Sequence, residues 1–390
     1  MRIPFVDLQA QYRAISGEID AAMAAVVRDC AFVSGKYAAE FERDFSAFCG
    51  ARHCIGVGNG TDALYIALRA SGIGPGDEVL VPANSFIATS EAVALTGARV
   101  VFVDVDPDTY NIDVEQAHAR LTSRTKATIA VHLYGQPAKL DDLVELSRSH
   151  GLKLIQDSAQ AHGASLHGKP LSAYSDLSCY SFYPGKNLGA YGDAGAVVTN
   201  DDDLARTCRM IANHGRISKY DHEFEGVNSR LDGLQGAILS VKLRSLDQWI
   251  AKRRAVAALY DRLLDSVDEV ITPLTIAGAR HVYHLYVVRV PDREDLQQHL
   301  KDRGVATGVH YPTALPNLTA YSHLGCHPKD FPVASRYQSE ILSLPIYPEL
   351  AENEVRHVVA EIQNHYAMRR LSMQPVAEFV QTAVVAGGGD

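Results

Sequence analysis

Ser181-Phe182-Tyr183-Pro184-Gly185-Lys186-Asn187-Leu188-Gly189-Ala190-Tyr191-Gly192-Asp193-Ala194-Gly195 sets a single lysine in a run of small and polar residues. Apolar residues lead in over Leu177–Phe182 and out over Ala194–Thr199. Both flanks read as short buried strands bounded by turn residues. Lys186 therefore lies in a loop or sharp turn beside a sheet, where the small residues let backbone or ligand approach closely. A solvated surface lysine is the ordinary reading of such a residue. A Schiff-base lysine needs an amine that loses its proton readily, which partial desolvation or nearby positive charge provides. The apolar approach, Ser181 upstream and the glycine-rich exit fit that second reading.

Strand-like and helical runs alternate on the amino-terminal side. Glu78–Pro82, Arg99–Val105, Ala127–Leu133 and Leu152–Gln156 read as strands, and Thr89–Leu95 and Leu140–His150 as helices. This alternation predicts an α/β fold with a mostly parallel sheet flanked by helices, and ligands at the carboxyl ends of the strands. Cys54-Ile55-Gly56-Val57-Gly58-Asn59-Gly60-Thr61-Asp62-Ala63-Leu64 reads as strand, glycine turn and helix, with Thr61 as the cap. The free N–H groups of such a helix start bind anions, although a plain strand-to-helix connection uses the same residues. Asp157 closes an apolar run, either as a turn or cap aspartate or as counter-ion to a buried cation such as a protonated pyridine nitrogen. Phe86 follows the strand ending at Pro82, as a core aromatic or as a ring that stacks on a flat ligand.

Beyond residue 225 the pattern changes. Leu231, Leu234, Ile238 and Val241 begin a helical stripe that continues through Trp249 towards Leu263 and reads as a connector. Tyr283–Val290 and Val305–Tyr311 read as strands, and Glu294–Arg303 and Glu352–Tyr366 as helices. The predicted division is a large domain over 1–245 with an amino-terminal arm, a smaller α+β domain over 246–370, and a mobile tail over 371–390.

The 390 residues carry a net charge of −9, with 47% hydrophobic and 21% charged residues. The charges are interspersed, which argues against a nucleic-acid partner. The chain shows neither a signal-peptide pattern nor a membrane-spanning apolar run, so a cytoplasmic protein without membrane association is expected. Six cysteines without CxxC pairing read as reduced thiols, and sixteen scattered histidines form no HExxH metal motif.

Four motifs, Gly-Asn-Gly-Thr-Asp-Ala-Leu (58–64), Asp-x-Ala-Gln-Ala-His-Gly (157–163), Ser-Phe-Tyr-Pro-Gly-Lys-Asn-Leu-Gly (181–189) and Asn-x-Arg-Leu-Asp (228–232), resemble those of the DegT/DnrJ/StrS family. The resemblance runs from about Pro4 to about Tyr366. It implies a fold-type I, aspartate aminotransferase-like enzyme that uses pyridoxal 5′-phosphate. It also implies roles: Lys186 bonds the cofactor covalently and shuttles the proton, and Asp157 pairs with the pyridine nitrogen. Gln160 bonds the phenolic oxygen, Phe86 stacks on the ring, and Gly60, Thr61 and Ser181 hold the phosphate. Asn228 reaches the phosphate of a neighbouring subunit, which implies a homodimer with shared active sites.

L-glutamate is the implied amino donor and a nucleotide-linked keto sugar the acceptor. The segment around Lys186, with Gly308-Val309-His310-Tyr311-Pro312, resembles enzymes aminating C3 of a dTDP-linked 3-keto-6-deoxyhexose. Tyr183, His310 and Tyr311 would then approach the sugar, while the same residues also read as packing at a strand end. Ala314 and Pro316 stand where those relatives tend to carry Pro and His. A UDP-linked 3-keto sugar, a 4-keto sugar and a keto-cyclitol are the alternative acceptors, and a cofactor-binding regulator without turnover is the alternative of another class. Gly233 and Gly236 also depart from the usual Glu and Ala, early in a helix where glycine costs about 0.5–1 kcal/mol relative to alanine.

Overall fold

Alternating side chains along the central strands bury on opposite faces, which places two cores around one sheet. The computed structural model describes residues 1–373. Seven strands form the sheet: β1 His53–Val57, β2 Glu78–Pro82, β3 Arg99–Val103, β4 Thr125–Val131, β5 Lys153–Asp157, β6 Leu177–Ser181 and β7 Gly195–Thr199. Their order is β1-β7-β6-β5-β4-β2-β3. Only β7 runs antiparallel to its neighbours, β1 and β6, so the sheet is mostly parallel as expected.

Ala127, Ile129 and Val131 of β4 and Leu177 and Cys179 of β6 face one core. Ala130 of β4 and Tyr180 of β6 face the other. Helices α3 Gly60–Ala70, α4 Ala88–Leu95 and α7 Asp202–Ala212 cover the first face. Helices α2 Gly35–Phe48, α6 Leu140–His150, α8 Gly233–Leu243 and α9 Leu246–Leu264 cover the second. The remaining helices on this side of the chain are α1 Leu8–Arg28 and α5 Val114–Ala119.

A third core gathers Ala257, Tyr260 and Leu264 of α9 with strands β8 Tyr286–Arg289 and β9 Ile341–Leu344. It also takes in α10 Arg293–Asp302 and α12 Glu352–Met373. Ile3 of the amino-terminal arm is fully buried there and bridges to Val305. Residues 314–340, including α11 Pro332–Glu340, send Leu315, Tyr321, Phe331 and Tyr337 back into the first core.

Three expectations are corrected. The long helix is two helices, α8 and α9, broken at Arg244 and Ser245. Val305–Tyr311 forms no strand; it makes isolated bridges, Ile3 to Val305 and Gly308 to Ser343. Asn59, not Thr61, caps α3, its side chain accepting from Asp62 N at 2.8 Å. Of the expected tail, residues 371–373 complete α12 and residues 374–390 lie outside the described residues.

Candidate active site

Lys186 sits in the connection from β6 to β7, which folds back on itself before the antiparallel strand begins. Phe182 N donates to Ala194 O at 2.8 Å, and Ala190 N to Phe182 O at 2.7 Å. Within that frame Lys186 N closes a turn onto Tyr183 O at 2.8 Å. Phe182 and Leu188, both fully buried, pin the loop to the core. Phe182 packs edge-on against Phe41 and Phe45 at centroid distances of 5.2 and 5.1 Å. Such pairs are each worth about 0.5–1.5 kcal/mol beyond their burial. Burial pushes the Lys186 amine down to about 8, against the pull of Asp157.

Asp157 ends β5, at the carboxyl edge of an internal parallel strand. Thr89 Oγ1 donates to its Oδ2 at 2.7 Å and Ala159 N to its Oδ1 at 3.2 Å. Burial raises its pKa; those two bonds and Lys186 only partly offset this. Among the described residues no cation pairs with it. Gln160 is held by both ends of its amide: Oε1 accepts from Tyr134 N at 2.6 Å, and Nε2 donates to Tyr311 OH at 3.2 Å. Tyr311 faces Phe86 with ring centroids 5.7 Å apart, and Phe86 is 53% exposed.

The start of α3 abuts the end of β6. A Cβ on Gly60 would lie 2.6 Å from Ser181 Cβ, so only glycine permits this approach. The free N–H groups of α3, Thr61 and the Ser181 hydroxyl are thereby brought to one place. Ser229 Oγ donates to Asp62 Oδ2 at 2.6 Å and accepts from Gly58 N at 2.9 Å, tying in the segment that carries Asn228.

Ten of the eleven expected site residues line one cavity of about 620 Å³: Gly60, Thr61, Phe86, Asp157, Gln160, Ser181, Tyr183, Lys186, His310 and Tyr311. That volume lies within the range of small-molecule sites. Asn228 does not line it; it is exposed, and its backbone bridges to Asn213. His310 is fixed by Ser343 Oγ, 2.9 Å from its Nδ1, and by its stack on Phe5 at 5.6 Å. Its carbonyl accepts from Tyr134 OH. Burial, then Lys186, pushes the His310 imidazole down to about 4.

Phe5, Arg253 and His284 also line the cavity and were not expected there. Their sequence surroundings carry no motif, and only packing of the arm and of α9 brings them in. His162, in the motif after Asp157, is fully buried behind the lysine, its imidazole pushed to about 3 by burial and then by Lys186.

A model of the DegT/DnrJ/EryC1/StrS aminotransferase family matches residues 13–363. The chain belongs to this family. It is 46% identical to a protein named "Pleiotropic regulatory protein" from Geobacillus stearothermophilus, over 94% of this chain and 99% of that one. It is 43% identical to the dTDP-3-amino-3,6-dideoxy-alpha-D-galactopyranose transaminase of Aneurinibacillus thermoaerophilus, over 93% of this chain and 99% of that one. The crystal structure of S. venezuelae DesV superposes with a TM-score of 0.92 at 42% identity, covering 93% of this chain and 98% of that one. Other relatives are named for UDP-linked and GDP-linked sugars.

The chain is thus a pyridoxal 5′-phosphate-dependent sugar-nucleotide aminotransferase. Its own residues fit the cofactor. A buried carboxylate without a cation suits a protonated pyridine nitrogen, and the glycine-walled helix start with Ser181 suits a phosphate. A lysine with a depressed pKa suits a carbonyl. Among the described residues no cluster of His, Cys, Asp or Glu could hold a metal ion, and no helix is long and apolar enough to cross a membrane.

Proposed function

We propose that the enzyme moves an amino group from L-glutamate to C3 of a dTDP-linked 3-keto-6-deoxyhexose, giving a dTDP-3-amino-3,6-dideoxyhexose. One observation carries this reading: Lys186, Asp157 and Gln160 share a single cavity with His310 and Tyr311, in a chain 43% identical to a transaminase named for such a product. Bound there, the cofactor supplies the electron sink that acidifies the carbon bearing the amine.

Asp157 holds the proton on the ring nitrogen, its carboxylate oriented by Thr89 and Ala159. Gln160 Nε2 addresses the phenolic oxygen, and Phe86 covers the ring. Gly60, Thr61 and Ser181 bind the phosphate. Lys186 Nζ would take the donor's α-proton and pass it to the cofactor, the donor leaving by hydrolysis as its keto acid, and in the second half-reaction would carry a proton from the cofactor to the sugar carbon. Its depressed pKa leaves a substantial minority of the amine in the basic form near neutral pH, where an ordinary lysine is almost wholly protonated. Tyr183, His310 and Tyr311 contact the sugar, with His310 neutral and oriented by Ser343.

Asn228, exposed and outside its own chain's cavity, is read as reaching the phosphate in a second copy, so the working unit is a homodimer with shared sites. The division into 1–245 and 246–370 is retained, with 314–340 returning to the first core. A cytoplasmic enzyme of deoxyamino-sugar assembly, of the kind that feeds O-antigen or lipopolysaccharide, is the corresponding setting.

A UDP-linked 3-keto sugar is the second acceptor reading. A relative named UDP-2-acetamido-2-deoxy-3-oxo-D-glucuronate aminotransferase, at 43% identity, favours it. Incubation with L-glutamate and a panel of dTDP- and UDP-linked 3-keto and 4-keto sugars, with NMR of the products, separates these. The reading expects nitrogen at C3 of the dTDP-linked hexose; turnover confined to a UDP-linked or 4-keto sugar overturns it.

A further inference from the structure

Arg253 projects from α9 into the cavity, with only 4% of its surface exposed. Its Nη1 donates to three main-chain carbonyls: Tyr283 at 3.2 Å, His284 at 3.3 Å and Ile346 at 2.9 Å. Among the described residues it forms no ion pair, although Glu349 is near enough to favour its charged form. Its Nε and Nη2 have no hydrogen-bond partner among the described residues, and neither is sealed inside protein. A buried guanidinium held by neutral carbonyls, with half its fork open to a cavity, is a costly arrangement unless an anion completes it.

The reacting lysine is close by. Arg253 bonds the carbonyl of His284, whose Nδ1 lies 3.4 Å from Asn187 Oδ1, the residue next to Lys186. His284 in turn feels the charge of both Lys186 and Arg253. An anion on the open fork therefore belongs to a molecule reacting at Lys186. A planar carboxylate matches two parallel N–H groups, whereas a nucleotide diphosphate is bulkier and more strongly solvated than this depth suits.

We propose that Arg253 is the receptor for a carboxylate of the amino-acid donor, and so the residue that selects an α-amino acid over a simple amine. The assignment rests on the aminotransferase reading and extends it to the donor half of the reaction.

The test uses the holoenzyme without any sugar and follows loss of its yellow colour. Aminooxyacetate and methoxyamine share the same reacting –O–NH₂ group, and only the first carries a carboxylate. Wild type is expected to prefer aminooxyacetate by at least about 30-fold, the scale of a buried charge pair. In Arg253→Gln that preference disappears and the methoxyamine rate stays within about twofold of wild type. The half-saturating L-glutamate concentration rises by a similar factor. If Arg253→Gln does not fold, Arg253→Lys, which keeps the charge but loses the fork, is expected to lose at least about tenfold of the preference. A preference intact in the variants overturns the assignment, as does an equal fall with both reagents, which marks a purely structural arginine. A half-saturating L-glutamate concentration left unchanged in Arg253→Gln moves the anion off the donor and also overturns it. Because no sugar is needed, failure of the dTDP-hexose reading leaves this result readable.

Discussion

Lys186 holds its amine near pKa 8 because the loop that carries it is pinned through Phe182 against Phe41 and Phe45, and burial disfavours its charge. In the apoenzyme its reactivity towards a competitive amine reagent is expected to rise as pH climbs through about 8, where the amine loses its proton. An ordinary surface lysine, titrating near 10.4, would show that rise about two units higher, and such a profile would contradict the desolvated site. Asp157→Asn keeps the shape and removes the charge. It is expected to cut kcat by about 10²–10³-fold, the scale of one preorganised electrostatic partner. The apoenzyme's thermal stability should match or exceed that of wild-type apoenzyme, because the charge of a carboxylate whose burial outweighs its partners is removed. Lys186→Ala should lose about 10²–10⁴-fold or more, and full transamination by it would end the account. Lys186, Asp157 and Gln160 were legible in the sequence because each sits in a short motif at a strand end, where the fold itself puts ligands. Arg253 and His284 were not. Arg253 lies in Ala-Lys-Arg-Arg-Ala, which reads as a solvated helix face, and only the approach of residues 283, 284 and 346 buries it.

At the scale of elements, Gly233 and Gly236 find a physical reason in α8. A Cβ on Gly233 would lie 2.0 Å from Ala31 O, and one on Gly236 would lie 2.9 Å from Ala38 Cα. The two glycines let α2 and the turn before it lie directly on α8, and α2 supplies the phenylalanines beneath the lysine loop. Helix propensity alone predicts that Gly233→Ala stabilises the protein by about 0.5–1 kcal/mol. The packing predicts instead a loss of about 1–3 kcal/mol, seen as a lower urea midpoint. A raised midpoint would contradict the close approach. Strand and helix positions on the amino-terminal side followed from periodicity because each element buries a regular face. The break at Arg244–Ser245 and the absence of a strand at 305–311 are not legible in the sequence, since an apolar pattern shows burial but not whether a hydrogen-bonding neighbour exists. The partners at 305 and 308 are single residues, Ile3 and Ser343, which make bridges rather than a ladder.

For the whole molecule, every expected site residue except Asn228 converges on one cavity, drawn from the ends of β5 and β6, the start of α3, the β2–α4 and β6–β7 loops and the segment between α10 and α11. Asn228 is exposed outside that cavity, as the proposed shared dimeric site requires. Lys186→Ala and Asn228→Ala subunits, each inactive or weak alone, should regain partial activity when mixed and allowed to exchange. Mixing that restores nothing, while native mass spectrometry shows heterodimers formed by exchange, would place Asn228 outside the site. The visible spectrum of the purified holoenzyme before and after addition of L-glutamate tests the central claim most directly. The account predicts a yellow band in wild type that glutamate bleaches, and no bleaching in Lys186→Ala. A wild-type band that glutamate leaves unchanged would contradict glutamate as donor, and bleaching at the wild-type rate in Lys186→Ala would remove Lys186 from the centre of the chemistry.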